Sequence, residues 1–536
     1  MTSTVFQRLS LALFTLLAVF IVVTFKQYGI SNDEQVQHVY GQLLLNFYSS
    51  GFVDHAAFSY KNLYLYGGFF DLIAAILEKL LPLWVWDIRH LLSALFGLAG
   101  IVAVHKITNE LAGARAAFIA AFLLTITGAW TGAMFTHTKD VSFAACMVWA
   151  LYYTLLTSKH LPRIPLALSL KLGLAVGLAL GLRIGGAFAV IYLLLMVLVA
   201  GCLTDKGCKL RLTFYWNSFI GLLPAGTVAL GLMATFWPWS VMGFDHIQIA
   251  VKSFSHFAFD MNTIVNGQFV SIGDVPRTYL FQYLGIRLPE IFLLGLISLV
   301  VVLGMRLKQA AFWKVNHLPE ITVSIALLTP LVFVLLDRPA LYNGVRHFTF
   351  VIPTLAIVAG IGLSKMFDAL AECKKWRLGF VAVCALLSLN TICSLYALHP
   401  YQYLYYNHFA GADFKHAQHN WEGDYWSSSL IDATKMLEQY VDAEAVSSTK
   451  KSELVYSVAV CAEAFQGQAY LDKRFTITEN WVTADFFISS TNMNCDKVLQ
   501  GEVIGVVERL GAPLAVVKDR RTLIGDARIP RAAPRD

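Results

Sequence analysis

Two adjacent acids, Asp33 and Glu34, stand in the stretch GISNDEQVQHVYG, a few residues after the first long apolar segment, with His38 and Tyr40 close behind. A carboxylate so placed can take a proton from an attacking group. FTHTKDVSFAAC brings His137, Lys139 and Asp140 between two apolar segments. GLALGLRIGGAFAVIYLLL carries Arg183 inside apolar sequence, where an ionisable residue is costly and by default a functional candidate. DRPALYNGVRHFTFVIP adds Arg338, Arg346 and His347. A planar guanidinium suits phosphate through paired hydrogen bonds. Acids and cations of this kind fit a group transfer in which the cations hold an anionic leaving group and a carboxylate receives the proton. Plainer readings stand beside this one. Asp33 and Glu34 suit a hydrated loop. Lys139 and Asp140 suit the ends of two spans, with Asp140 as an N-cap or first-turn acid. Arg183 can snorkel to an interface, and Asp337 can pair with the arginines that follow it.

The elements that must position these residues are membrane helices. The 536 residues are 57% hydrophobic and 14% charged, with a mean hydropathy of +0.60. A soluble domain carries about 25% charge. The net charge of +6 is spread over short loops, which argues against a nucleic-acid partner. Hydropathy predicts about eleven spans, near 8–25, 88–105, 116–135, 141–157, 167–182, 186–203, 214–236, 289–305, 321–336, 348–364 and 378–396. The first is long enough to cross a bilayer and is read as retained, with cleavage of a signal anchor as the alternative. Arg8, Lys106, Arg115, Lys159, Arg163, Lys206, Lys209, Arg211, Arg306, Lys308, Lys314, Lys365, Lys374, Lys375 and Arg377 fall on alternate loops. The positive-inside rule therefore predicts a cytoplasmic N-terminus and an outer C-terminus.

The predicted fold class is a polytopic α-helical membrane protein of about eleven transmembrane helices, with an interfacial first outer loop and a small α/β C-terminal domain outside the cell interior. A transmembrane domain is predicted over 1–397, with long outer loops at 26–87 and 240–288. The soluble domain is expected over 398–525 and a disordered tail over 526–536. Within the soluble part, WEGDYWSSSLIDATKMLEQYV reads as a helix with Asp432 in its first turn, and VYSVAVC, DFFISS and PLAVVKD read as strands. Cys461 and Cys495 are a candidate disulfide if that domain is extracytoplasmic, with two unpaired thiols equally open. No Cys/His spacing suggests zinc. The absence of a long internal repeat disfavours transporter folds built from related halves.

The order and shared sidedness of these motifs resemble the type C glycosyltransferases, and more narrowly the family of protein O-mannosyltransferases and bacterial lipid A aminoarabinose transferases (glycosyltransferase family 39-like). SNDEQVQHVYG is similar to the acidic motif of that family's first outer loop, HTKDVSFAA to its second outer motif, and GVRHFTFVIPTLAIVAGIGL to the arginine-aromatic stretch before a late proline-containing span. The resemblance covers roughly residues 8–400. It implies an inverting transferase of the inner (plasma) membrane that takes a hexosyl or pentosyl group from a polyprenyl-phosphate donor. The acceptor is a lipid, glycan or protein on the periplasmic or extracytoplasmic side, and membrane lipids surround the protein. It implies Asp33 as catalytic carboxylate with Glu34 as its neighbour, and Arg346 near the donor phosphate, to which the residue types add Lys139, Arg183 and His347 as further phosphate-binding candidates. His38, His137, Asp140 and Lys61 are supporting candidates. No cofactor is assigned, and a divalent cation shared by the Asp-Glu pair and phosphate stays open. The Pro-Pro signature late in the family's first loop is absent, with SYKNLYLYGG in its place. A transporter or flippase of lipid-linked sugars is the rival reading, and a non-catalytic membrane subunit is a third.

Overall fold

The computed structural model describes residues 3–203, 208–255, 261–306, 317–447 and 455–524. The loop charges Lys206, Lys308 and Lys314, and the tail expected over 526–536, lie outside the described residues. The chain forms two compact units. One comprises Met1–Gln27, Val36–Thr263 and Phe269–Phe409, the other Tyr28–Gln35, Ile264–Gln268 and Ala410–Asp536.

The first unit is a multi-helix bundle. Its helices are α1 (Ser3–Thr24), α2 (Glu34–Ser49, of this unit from Val36), α3 (Phe69–Leu80), α4 (Val85–Thr125), α5 (Thr138–Ser158), α6 (Leu166–Leu180), α7 (Ala187–Leu203) and α8 (Cys208–Phe236). They continue with α9 (Tyr279–Arg287), α10 (Glu290–Arg306), α11 (Leu318–Asp337), α12 (Ile352–Ala369) and α13 (Lys374–Leu398). Among the described residues eight helices are long and apolar enough to cross a membrane, or nine if α9 and α10 count as one bent span. The expectation of about eleven is therefore not met by this measure, for three physical reasons. The 41-residue α4 counts as one span but is two helices meeting at a kink at Gly113, whose φ of 79° and ψ of 178° suit glycine alone, and the segments predicted at 88–105 and 116–135 begin one on each side of it. Helix α6 has 15 residues, about 22 Å at 1.5 Å per residue, short of a ~30 Å hydrocarbon core. Between α9 and α10 the chain bends by 113°. Leu288 there is extended, as the residue before Pro289 must be, and the proline supplies no N–H to continue the helix.

Small residues let these helices approach. A Cβ on Gly360 would meet the Ala120 backbone at 2.7 Å, one on Gly295 the Ala359 carbonyl oxygen at 2.7 Å, and one on Gly362 the Gly295 carbonyl oxygen at 2.0 Å. This is close packing through small side chains, the usual basis of helix association in lipid. It locks α4, α10 and α12 together and so places the short 3-10 turn Arg346–Val351 that leads into α12 through Pro353. Most side chains of α5 are buried, and it is entered from the broken stretch Gly128–Thr136. The first predicted outer loop holds α2 and α3, and the second holds the hairpin of β1 (Asn262–Val265) and β2 (Gln268–Ser271) as well as α9.

The second unit packs α14 (Leu430–Ser447) on a five-stranded sheet. Its strands are β3 (Tyr456–Cys461), β4 (Phe475–Ile477), β5 (Phe486–Ser490), β6 (Glu502–Arg509) and β7 (Ala512–Asp519), in the order β4-β3-β5-β7-β6. Strand β3 runs parallel to β4 and β5, while β7 is antiparallel to β5 and β6. The three segments read as strands are β3, β5 and β7, and Asp432 lies in the first turn of α14. Strand β4 has only three residues and β6 is largely exposed, so neither carries the buried apolar run that marks the other three.

Cys461 and Cys495 are joined, with their Cα atoms 6.0 Å apart across 34 residues of sequence. Closing a loop of that size stabilises by about 4 kcal/mol in the chain-entropy account. Replacing both cysteines with serine is expected to lower the denaturant midpoint of the C-terminal unit by a corresponding amount. Tryptophan fluorescence and protease sensitivity of the purified protein would show it.

Candidate active site

Lys139 and Asp140 occupy the first turn of α5. Successive helical residues point about 100° apart, so the two neighbours engage different partners. Lys139 Nζ lies 2.9 Å from Asp71 Oδ2. Asp71, in the first turn of α3, also holds Arg89 Nη2 at 3.0 Å through Oδ1. The same Arg89 nitrogen donates to Gln37 Oε1 at 3.0 Å, which accepts from the Thr138 hydroxyl at 2.8 Å. Asp140 holds Arg183 Nη2 at 2.5 Å and Arg346 Nε at 3.2 Å. All six charged side chains are at least nine-tenths buried.

The backbone explains this convergence. Arg183 follows the end of α6 and is extended ahead of the turn Ile184–Gly186. It therefore sits in a break between helices, between the spans predicted at 167–182 and 186–203. Arg346 opens the turn before α12. The chain from Tyr64 to Phe69 docks on the same helix ends: Gly68 N–H donates to Phe236 O at 2.8 Å and Phe69 N–H to Gly181 O at 3.0 Å. A Cβ on Gly67 would meet Gly181 O at 2.0 Å, so only glycine permits the approach. It brings the Tyr66 ring 5.6 Å from Lys139 Nζ and 6.0 Å from the Arg183 guanidinium carbon, and Tyr40 adds a second face 5.3 Å from Lys139. Such ring faces attract cations. The set thus reads as one ionic layer of four cations and two carboxylates among the described residues. An excess of buried positive charge is costly unless an anion compensates it. Arg183 Nε and His347 Nδ1 are buried without a hydrogen-bond partner among the described residues.

His137 precedes α5, its Nδ1 3.0 Å from the Thr136 hydroxyl and its ring against Tyr403. Burial pushes its pKa down to about 3, so it is neutral at ordinary pH. His347 packs edge-on against Tyr342. Arg338 lies apart, donating to the carbonyls of Asp274 and Val275, so neither Asp337 nor a substrate is needed to satisfy it. Lys61 is exposed on a residue with φ of 48° and takes no part in the ionic layer. His38 faces Glu78 at 3.8 Å and the edge of Trp86, and burial lowers its pKa.

Asp33 and Glu34 belong to the second unit. Asp33 is half-buried in the turn before α2. Glu34 is fully buried, and its Oε2 accepts the Ser31 N–H at 2.7 Å. Sequence reasoning missed Asp71, Arg89, Gln37 and Tyr66. Arg89 carried a usable signal, since it stands in the apolar run that begins α4, as Arg183 does between α6 and α7. Asp71 carried a weaker one in FFDLIAAIL. Among the described residues no group of three or more His, Cys, Asp or Glu side chains is arranged to hold a metal ion.

No model of a known protein family matches the chain, and no curated protein matches it. Solved structures do. ArnT from Cupriavidus metallidurans, in the apo state, aligns at a TM-score of 0.50 and 16% identity over 95% of this chain and 97% of its own. The Archaeoglobus fulgidus oligosaccharyltransferase, apo, aligns at 0.51 and 16% identity over 86% of this chain and 63% of its own. The resemblance to type C glycosyltransferases holds at the level of the fold: a mostly helical multi-pass membrane protein with a small sheet domain at the C-terminus.

Asp140→Asn would leave Arg183 and Arg346 buried without their counter-charge, a loss of about 3–5 kcal/mol for a broken buried pair. Reduced folded yield and a lower melting temperature in detergent are the expected readings. His137 supplies a pH test. Its folded pKa lies below the unfolded value near 6.5, so the unfolded chain binds the extra proton between about pH 6.5 and 3. Stability is complete above that window and falls as pH drops through it. Melting curves should lose part of that slope in His137→Gln.

Proposed function

We propose that the protein is an inverting glycosyltransferase that moves a sugar from a polyprenyl-phosphate donor to an acceptor on the outer face of the membrane. The observation that carries this reading is the buried ionic layer in which cations outnumber carboxylates by two, as a bound phosphate requires. The fold shared with ArnT and the oligosaccharyltransferase supports the same class of chemistry. Lys139, Arg183 and Arg346, with Arg89 added by the structure and His347 beside Arg346, hold the donor phosphate and stabilise its charge as the glycosidic bond breaks. Asp71 and Asp140 are each committed to two cations, which suits them to aligning the phosphate-binding side chains rather than to taking a proton. The base is then Asp33, with Glu34 shaping its turn through the bond to Ser31. The acceptor hydroxyl or amine loses its proton to Asp33 and attacks the anomeric carbon from the face opposite the leaving phosphate, inverting that centre. The basic loops support a cytoplasmic N-terminus and an outer C-terminus, and the disulfide supports an oxidising compartment for the C-terminal unit.

A flippase would carry ionisable groups near the middle of its spans. Here Asp71, Arg89, Lys139, Asp140 and Arg346 all stand within about the first turn and a half of their helices, and Arg183 stands between two.

Purified protein given a labelled polyprenyl-phosphate sugar should release free polyprenyl phosphate only when acceptor is present. Asp33→Asn should abolish that release while expression and melting temperature hold. Arg346→Ala should weaken donor binding. Full activity of Asp33→Asn would remove Asp33 from the mechanism, and acceptor-independent movement of the intact donor would favour the flippase.

A further inference from the structure

The acidic turn is built into the C-terminal unit. Residues 28–35 separate from the rest of the first outer loop and fold with Ala410–Asp536. Both backbone groups of Ile30 are met by that unit. Ile30 is held from both sides: its N–H donates to the Tyr470 hydroxyl at 2.8 Å, and its carbonyl accepts from Gln466 Nε2 at 2.6 Å. Asn32 donates through its side-chain amide to the Tyr425 carbonyl at 3.2 Å. Gly29 lies so close to Ser428 that a Cβ would stand 2.1 Å from the Ser428 carbonyl oxygen. The Ser31 N–H is taken by Glu34 itself.

The partners come from two short stretches, 425–428 and 466–470. Both are braced by hydrogen bonds within the unit. Asp424 is fully buried and accepts the N–H groups of Ser428 and Ser429, and the Ser427 hydroxyl reaches Ser490 at the end of β5. Gln466 is fully buried on the short helix Ala464–Gln468 that follows β3, and its Nε2 also donates to the Trp426 carbonyl at 3.0 Å. One side chain therefore ties the helix after β3, the DYWSSS turn and the acidic turn to a single point. The disulfide from Cys461 pins the end of the strand that delivers it. A buried amide with two acceptors at hydrogen-bond distance is a strong local constraint, because losing it leaves the carbonyls of Ile30 and Trp426 short of a partner.

We infer that Gln466 is a positioning residue for Asp33, and that the C-terminal unit sets the reactive geometry of the acidic turn. The inference rests on the reading of Asp33 as base. A catalytic carboxylate must be held to within a fraction of an ångström, and a misplacement of about 1 Å costs on the order of a hundredfold in rate.

The test uses the full-length protein in detergent, with a labelled polyprenyl-phosphate sugar and an active acceptor. Gln466→Ala should lower kcat by about ten- to a hundredfold while donor KM stays within about twofold, since the phosphate-binding side chains are untouched. Hydrogen exchange of the peptide covering 28–35 should quicken, with β3, β5 and β7 unchanged. Gln466→Glu, which keeps the size but presents no N–H to Ile30, should behave like the alanine variant. If either change unfolds the unit, Tyr470→Phe removes only the hydroxyl that meets Ile30 and should show the same pattern more mildly. Unchanged kcat, a rise in donor KM alone, or exchange that quickens throughout the sheet would overturn the inference. The reading of Asp33 is judged separately. If Asp33→Asn keeps its rate while Gln466→Ala still loosens residues 28–35, the base assignment falls, and the clamp holds structure without serving catalysis.

Discussion

Much of the structure depends on one constraint: Lys139 and Asp140, adjacent at the start of α5, are both buried and both charged. Neither could stay so alone, because an unpaired ion in apolar surroundings costs several kcal/mol. Their solution requires parts of the chain far apart in sequence to meet at one level. Asp71 must come from α3, Arg89 from the start of α4, Arg183 from the break after α6 and Arg346 from the turn before α12. The glycines at 67, 181, 295, 360 and 362 serve that meeting. They let the first outer loop reach α6, and let α10, α12 and α4 close on one another.

The arrangement separates two tasks. Carboxylates locked between cations align those cations and reduce the charge that must be compensated. What remains is a surplus of buried positive charge, which the proposed function matches with the donor phosphate. Proton transfer is assigned elsewhere, to a turn whose backbone is held by the C-terminal unit.

The fold class and most helices were legible in the sequence, because long apolar runs and alternating basic loops are local signals. Gly113 breaks α4 between the segments that hydropathy places at 88–105 and 116–135, and Pro289 stands at the bend where hydropathy begins the span 289–305. In the C-terminal unit the three strands with continuous buried runs were readable. The short β4 and the exposed β6 were not, since their strand state comes from pairing with neighbours rather than from their own residues.

By itself the sequence determined a multi-span chain whose chemistry-bearing residues gather between apolar segments, together with the identity of most of the cations. Burial of charge is written locally, as an arginine or lysine beside apolar residues. Tertiary structure alone decided which charges pair. Asp71 and Arg89 joined the site because α3 packs on the start of α4 and brings them within 3.0 Å of each other. It alone decided that the Asp33 turn folds with residues more than 390 positions away. A hydrogen bond from Gln466 to a backbone carbonyl depends on no feature of the accepting side chain, so nothing in the local sequence could announce it.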